Sequence, residues 1–438
     1  MIKHYNDLEE IIMFEVINNE LHVDGYSTSQ LAKDYGTPLY VYSENKIIDK
    51  INEIKMHFLS KYPKTHAAYA CKAFCTLYMC KLIEREGLWL DVVSGGELYT
   101  AIRAGFPSNR IEFNGNNKSE GELLMALDYN IARIVVDNVS ELTFLDELCQ
   151  KKGVTTKILF RITPGVGSST HEYITTGTKD SKFGIPLDEN IMFPAIEYAI
   201  KSKNLDFLGF HFHVGSQLHD TLAHMGALET VLNLLKETKS RFDYEIKDFN
   251  MGGGFGIKYI DEDKPLQLSD FVDPIMKRLS EFCVENDLTR PSVSMEPGRF
   301  IIGEAGLQLY TVGNVKEIPG IRTYVSVDGG MTDNIRPGLY GAKYDAIIAN
   351  KANTPKDSLV YISGKCCEST DIIIKNLKCH LPESGDILAV FSTGAYGYSM
   401  ANNYNKLPFP AVVAIKDGNP KLIVKRQTYE QIIENEIL

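Results

Sequence analysis

Eight short apolar runs, each followed by a stretch of helical pattern, recur between residues 66 and 295. They are HAAYAC (66–71), LWLDVV (88–93), IEF (111–113), RIVV (133–136), TKILFRI (156–162), FLGFHF (207–212), IKDFNM (246–251) and SVSM (292–295). Runs this short and this apolar suit strands buried on both faces. Strand–helix alternation repeated eight times predicts a TIM-type (β/α)8 barrel. Such a barrel takes about 250 residues. The chain has 438 residues, so a second domain is expected beside it.

Past residue 300 the rhythm changes. RFIIG, LQLYTVGNVKEI, TYVSVDG, LVYISG, DILAVF, FPAVVAIKDG and KLIVKR read as strands separated by Gly, Pro and Asp turns. They predict a mainly antiparallel β-domain. Near the start of the chain, FEVINNELHV (14–23) alternates around a central Asn-Asn and reads as a hairpin. Ser27 and Gln30 fit a capping box for a short helix that stops at Gly36, and LYVYS (39–43) reads as a strand. The expected class is therefore α/β. The barrel spans 45–300, and a β-domain is formed from 1–44 and 301–438.

Charge and composition exclude several functions. The formal net charge is −11, which lacks the basic footprint needed to neutralise nucleic-acid phosphates. No apolar run reaches the ~18 residues of a membrane span. The acidic N-terminal segment MIKHYNDLEEII has no apolar core of a secretory signal. Cysteines stand at 71, 75, 80, 149, 283, 366, 367 and 379, with no CxxC pair among them. This predicts a cytoplasmic protein with reduced thiols.

The ends of the eight runs carry the chemistry. They finish at Lys72, Ser94-Gly95-Gly96, Asn114-Gly115-Asn116, Asp137, Arg161, His213, Gly252-Gly253-Gly254 and Glu296. The C-terminal strand ends of a barrel share one mouth, so these groups are expected to converge. Turn chemistry accounts for the glycines but poorly for Lys72, His213 and Glu296. A lysine at a cavity-facing strand end loses its proton by desolvation and becomes a nucleophile, whereas most lysines are solvated surface groups. Gly252, Gly253 and Gly254 are either a plain tight turn or a loop whose N–H groups approach a phosphate; the pattern is neither a dinucleotide fingerprint nor a P-loop.

His211 and His213 lie on one strand face, but no further ligands at metal spacing accompany them, so no metal is expected. A histidine packed on a flat cofactor, or a satisfied core histidine, fits the pair. Glu296-Pro297-Gly298-Arg299 offers a carboxylate for a cationic ring nitrogen and an arginine for a phosphate or carboxylate; a surface pair in a turn is the plainer alternative. Ser94 and Glu97 fit a capping box for a helix that stops at Gly105. Cys366 and Cys367 read as two buried thiols, although the polar run Glu368-Ser369-Thr370-Asp371 follows directly.

Ten elements stand in one order between about residue 66 and 405: YACKA, DVVSGGEL, FNGNNKS, Ser181-Lys182-Phe183-Gly184, HVGSQ, GGGFG, EPGR, Arg336-Pro337-Gly338-Leu339-Tyr340, CESTD and GAYGYSMANNYN. Together they resemble the fold-type III pyridoxal-5′-phosphate decarboxylases, the family of diaminopimelate, ornithine and related decarboxylases. FNGNNKS, the Arg336–Tyr340 segment and GAYGYSMANNYN are more similar to the diaminopimelate branch than to the ornithine branch. Two positions depart from the family pattern, Phe74 where many relatives have Asn and Thr370 where Gly is usual.

The resemblance implies a site. Lys72 holds pyridoxal 5′-phosphate as an internal Schiff base, Glu296 bonds its ring nitrogen, and His213 stacks on its face. Ser216, Gly252, Gly253, Gly254 and Tyr396 bind its phosphate. Arg299, Arg336 and Tyr340 hold a substrate carboxylate, with Tyr396 also at the substrate. Glu368 reads the distal amino group, and Cys367, from the other subunit of a homodimer, acts near the reacting carbon. The implied reaction is decarboxylation of meso-2,6-diaminopimelate to L-lysine and CO2. Decarboxylation of ornithine, arginine or a carboxylated polyamine is the alternative, and a catalytically silent cofactor carrier is a third reading. Residues 163–186, rich in Thr, Ser and Gly, are the candidate lid.

Overall fold

A computed structural model describes residues 13–165 and 181–438, so most of the candidate lid lies outside the described residues. All eight expected runs are strands: Thr65–Ala70, Trp89–Val92, Ile111–Phe113, Arg133–Val136, Thr156–Arg161, Leu205–His211, Asp248–Asn250 and Ser292–Met295. Each pairs in parallel with the next, and Ser292–Met295 closes the barrel on Thr65–Ala70 with Ser294 opposite His66.

The helices between them begin and end where side chains satisfy the free backbone groups of a helix terminus. Thr76 caps Leu77–Arg85 by accepting the Met79 N–H at 3.1 Å. Ser119 and Glu122 form a reciprocal capping box for Glu120–Tyr129. Asn138 caps Val139–Lys152, which stops at Gly153 in the left-handed region. At Gly95–Arg103 only half of the expected box forms. Ser94 accepts the Glu97 N–H at 3.3 Å, but the Glu97 carboxylate accepts the Val93 N–H instead, tying the helix start back to the strand end. At Thr28–Tyr35 likewise, Ser27 accepts the Gln30 N–H while the Gln30 side chain turns to Asp34.

The barrel interior is not wholly apolar. Arg133 lies inside it with 2% of its side chain exposed. Its guanidinium donates to Glu112 Oε2 at 2.5 and 2.8 Å, to Asp248 Oδ2 at 2.7 Å and to Ser294 Oγ at 2.9 Å. One arginine thus ties together side chains from four strands. The planar five-donor head suits this use, which a lysine could not match.

The β-domain strands form one sheet in the order Ile372–Cys379, Ser358–Ser363, Arg322–Val327, Gly306–Ile318, Leu39–Ser43, Ala411–Lys416, Asn419–Val424. Ile387–Val390 also pairs with Gly306–Ile318, and Ala346–Ile348 pairs with Ile387–Val390. The pairs are antiparallel except Arg322–Val327 with Ser358–Ser363 and Leu39–Ser43 with Ala411–Lys416. The hairpin Phe14–Ile17/Glu20–Val23 turns at Asn18 and Asn19, both in the left-handed region that asparagine tolerates. Its Leu21 and Val23 join Leu39, Val41, Leu307, Val413 and Ile415 in one buried cluster.

Three readings of the sequence change here. RFIIG is not a strand; Arg299–Ile302 is a short helix with Ile301 and Ile302 buried, so packing after the Pro297-Gly298 turn overrides a weak β preference. Ile372–Cys379 and Ala346–Ile348 are strands the pattern did not reveal. In the first, Asn376 takes a positive φ and breaks the alternation on which a strand is recognised. By internal contacts the chain divides into one unit of residues 1–50, 258–263 and 302–438 and a second of 51–257 and 264–301. Among the described residues, no helix is long and apolar enough to cross a membrane.

Two outcomes follow. Arg133→Met leaves Glu112 and Asp248 buried without their counter-charge, so it should destabilise the protein by about 3–5 kcal/mol, read from denaturant unfolding. The second concerns His224, buried among Phe212, Phe255 and Phe271. Its Nε2–H donates to the Gly253 carbonyl at 3.0 Å and its Nδ1 has no partner. Burial pushes its pKa down from 6.5 to about 4. The unfolded chain therefore takes up the proton first, and the stability is present above pH 6.5 and lost as pH falls towards 4. Melting scans across this range should show His224→Phe to be less acid-sensitive than the parent, by up to about 3 kcal/mol.

Candidate active site

Lys72 follows the strand Thr65–Ala70 in a single turn of 3-10 helix, Cys71–Ala73. Its charge acts on Asp91, Glu97, His211, His213 and Glu296, which sets it beside the polar ends of several strands. Glu296, next after the strand Ser292–Met295, is 4% exposed. Its Oε1 accepts from Asn114 Nδ2 at 3.1 Å and Asn250 Nδ2 at 2.9 Å, and His211 Nε2 lies 2.9 Å away. Burial alone would raise the Glu296 pKa; His211 and then Lys72 more than offset this and hold it well below the usual carboxylate range. Asp91 moves the opposite way, pushed up by burial and by Glu296 itself. Negative charge is thereby concentrated on Glu296.

The glycine loop is shaped from beneath. A side chain at Gly252 would collide with the Phe212 carbonyl, one at Gly253 with the Glu296 carbonyl, and one at Gly254 with the Gly215 carbonyl. Gly252 and Gly254 also take positive φ, at +67° and +102°. Close backbone packing therefore requires glycine at all three positions. The Gly253 N–H donates to His213 Nδ1 at 3.3 Å, and the Glu296 N–H to the Gly252 carbonyl at 2.8 Å. Burial, then the charges of Lys72 and Arg161, pushes the His213 pKa well down, so its ring is neutral. Arg299 donates to Ser216 Oγ at 3.0 Å from Nη2 and 3.3 Å from Nε.

Of the sequence candidates, Lys72, His213, Ser216, Gly252, Gly253, Gly254, Glu296 and Arg299 all belong to the barrel unit. Arg336, Tyr340, Cys367, Glu368 and Tyr396 belong to the other unit. There Arg336, 7% exposed at the start of the helix Arg336–Tyr340, donates to Tyr259 Oη at 3.0 Å and to Tyr344 Oη. Tyr340 is half-buried, and so is Tyr396, which stands at a φ of +60°. The two adjacent cysteines differ. The Cys366 N–H is held by Asp371 at 2.8 Å and its thiol is pushed up to about 11 by burial and Asp371. Cys367 is exposed, its N–H held by Asn405 Oδ1 at 2.7 Å. Glu368, also exposed, accepts from the Thr370 N–H and hydroxyl, both at 3.1 Å, and these bonds lower its pKa.

Sequence reasoning missed the second layer of this site. Asp91, Glu112, Arg133, Asp248 and Asn250 sit inside the runs read as apolar strands, beside His211, which the sequence did single out. The signal was present as charged or amide residues within otherwise apolar strands. Asp91, Glu112 and Glu296 each bring one carboxylate oxygen within 4.8 Å of the others. Asn114 and Asn250 already donate to Glu296, and Arg133 to Glu112, whereas a hard cation takes oxygen ligands.

The arrangement fits pyridoxal phosphate. It supplies a lysine at the end of a barrel strand, a buried carboxylate whose pKa is held low, as a pyridinium N–H requires, a flat imidazole ring, and a bare glycine loop beside a serine–arginine pair.

Comparisons with known proteins agree with this chemistry. Residues 46–303 match the family described as pyridoxal-dependent decarboxylase, pyridoxal binding domain. The chain is 49% identical over 417 residues to the diaminopimelate decarboxylase of Bacillus subtilis, covering 95% of each chain. It is 49% identical over 407 residues to that of Bacillus methanolicus, covering 93% of this chain and 94% of the relative. The crystal structure of diaminopimelate decarboxylase from M. jannaschii in complex with L-lysine matches at a TM-score of 0.91 and 35% identity, over 98% of both chains. Likeness of this extent across the barrel and the β-domain alike means that the chain belongs to the pyridoxal-dependent decarboxylases, among the diaminopimelate decarboxylases.

Proposed function

We propose that this protein removes one carboxyl group of meso-2,6-diaminopimelate as CO2 and returns a proton to the same carbon, giving L-lysine. The observation that carries the reading is the buried Glu296, with Asn114, Asn250 and His211 on its Oε1, in a chain that matches diaminopimelate decarboxylases along nearly its whole length. Pyridoxal phosphate supplies the electron sink for the pair left by the departing CO2.

The chain's own groups supply the rest. Lys72 holds the cofactor. Glu296 accepts the ring N–H and, by keeping its negative charge, favours the protonated ring. His213 lies on the ring face as a neutral surface. Ser216, Gly252, Gly253, Gly254 and Tyr396 bind the phosphate. Arg299, Arg336 and Tyr340 hold substrate carboxylate, and Tyr396 lies at the substrate as well. A guanidinium paired to tyrosine hydroxyls, as Arg336 is, has further donors for such a group. Glu368 recognises the distal ammonium, and Thr370 orients it. Cys367 returns the proton as general acid. Both Cys367 and Glu368 are exposed, which suits service in the site of a second copy, so the reading includes a homodimer. Eight cysteines without a disulfide suit the reducing cytoplasm.

The test supplies protein and pyridoxal phosphate with meso-diaminopimelate, L-ornithine or L-arginine in turn, and follows CO2 and the amine product. CO2 and L-lysine from diaminopimelate alone are expected. CO2 from one of the others alone would overturn the substrate assignment. Glu368→Gln should raise the KM for diaminopimelate about tenfold or more, through loss of a charge-assisted bond. Cys367→Ala should lower kcat by about 100-fold or more while leaving cofactor binding intact.

A further inference from the structure

Asn250 ends the strand Asp248–Asn250 and is wholly buried. Its Nδ2 donates to Glu296 Oε1 at 2.9 Å and also lies 3.2 and 3.3 Å from the two oxygens of Glu112. Its Oδ1 accepts the Gly252 N–H at 2.8 Å. The Gly252 carbonyl in turn accepts the Glu296 N–H at 2.8 Å. One carboxamide therefore spans the carboxylate assigned to the ring nitrogen and the loop assigned to the phosphate. We propose that Asn250 is a positioning residue for the cofactor, holding Glu296 and the glycine loop at a fixed separation so that both ends of pyridoxal phosphate are met together. This rests on the pyridoxal-phosphate reading of the barrel unit.

The chemistry selects a carboxamide. Asparagine offers two donors on one atom and an acceptor on the other. An ionised aspartate would keep the acceptor for Gly252 but face two carboxylates with no N–H to give. A leucine would leave the Gly252 N–H unpaired in a buried place. Asn114 makes a similar bond to Glu296 but spends its other contact on Asp91, at 2.7 Å, and does not reach the loop. The charged and titratable groups around Asn250 are Glu112 with its partner Arg133, Asp248 on its own strand, His211 and Glu296. Asp91, Lys72 and His213 interact in turn with Glu296.

Binding of pyridoxal phosphate to the apoprotein, followed by quenching of protein fluorescence, tests the proposal with Asn250→Asp. At pH ~8 the variant should bind about 10- to 100-fold more weakly than the parent. Its deficit relative to the parent should shrink as the pH falls towards ~6, because a protonated aspartate regains a donor for Glu296. A residue that merely fills space gives no such recovery. Asn250→Ser, neutral and smaller, should bind more weakly at every pH, and its effect should largely vanish on a Glu296→Gln background. Equal binding by parent and Asn250→Asp, a deficit independent of pH, or a serine effect indifferent to Glu296 would each overturn the proposal. If Asn250→Asp does not fold, the serine pair decides. A parent that does not bind pyridoxal phosphate overturns the cofactor reading and this inference together, whereas a binding parent with an unaffected variant overturns this inference alone.

Discussion

The barrel depends on how it carries charge in its interior. Glu112 and Asp248 are buried where an isolated carboxylate is strongly disfavoured; burial pushes both carboxyls up, Glu112 to about 8, against the downward pull of Arg133, which pairs with both and also reaches Ser294. The cost of burying these ions is offset only because the guanidinium meets them with good geometry and spare donors. What such a network provides best is definition. Four strands must keep their register for one planar head to satisfy them all, so the floor beneath the site is fixed rather than merely filled.

Glu296 is built on that floor. Glu112 shares Asn250 with Glu296, so the carboxyl paired with Arg133 is connected to that of Glu296. Asp91, pushed towards its neutral form, adds no second negative charge beside it. The glycine loop is set by the same region from the other side, since the Glu296 carbonyl leaves no room for a side chain at Gly253. Glu296 and the glycine loop thus share neighbours, although they lie more than forty residues apart in the chain.

The β-domain uses a different device for its candidate groups. Asp371 accepts the Met331 N–H at 2.7 Å and the Cys366 N–H at 2.8 Å, and its carboxylate fills the space that side chains at Gly330 and Gly364 would need. A loop anchored from below in this way presents Cys367 and Glu368 outward while Cys366 is turned inward. The departure from the family pattern at Thr370 has a local role, because its hydroxyl donates to Glu368. At Phe74, the other departure, the side chain is buried and the backbone carbonyl accepts the Tyr69 hydroxyl at 2.9 Å.

Much of this was legible in the residues alone. Short apolar runs in an eightfold rhythm determine a closed parallel barrel, because strands buried on both faces carry that pattern and the helices between them must cover the outside. Lys72, His213, Gly252 and Glu296 stood out because each occurs where a strand ends. Arg299–Ile302 was misread and Ile372–Cys379 overlooked, because packing after a turn and one left-handed asparagine outweigh local preference. Only the tertiary structure revealed Arg133, Glu112, Asn250 and His211 as a single network. Their partners are supplied by strands distant in sequence, and a polar residue inside an apolar run shows its purpose only when the barrel closes and brings its counter-charge within hydrogen-bonding distance.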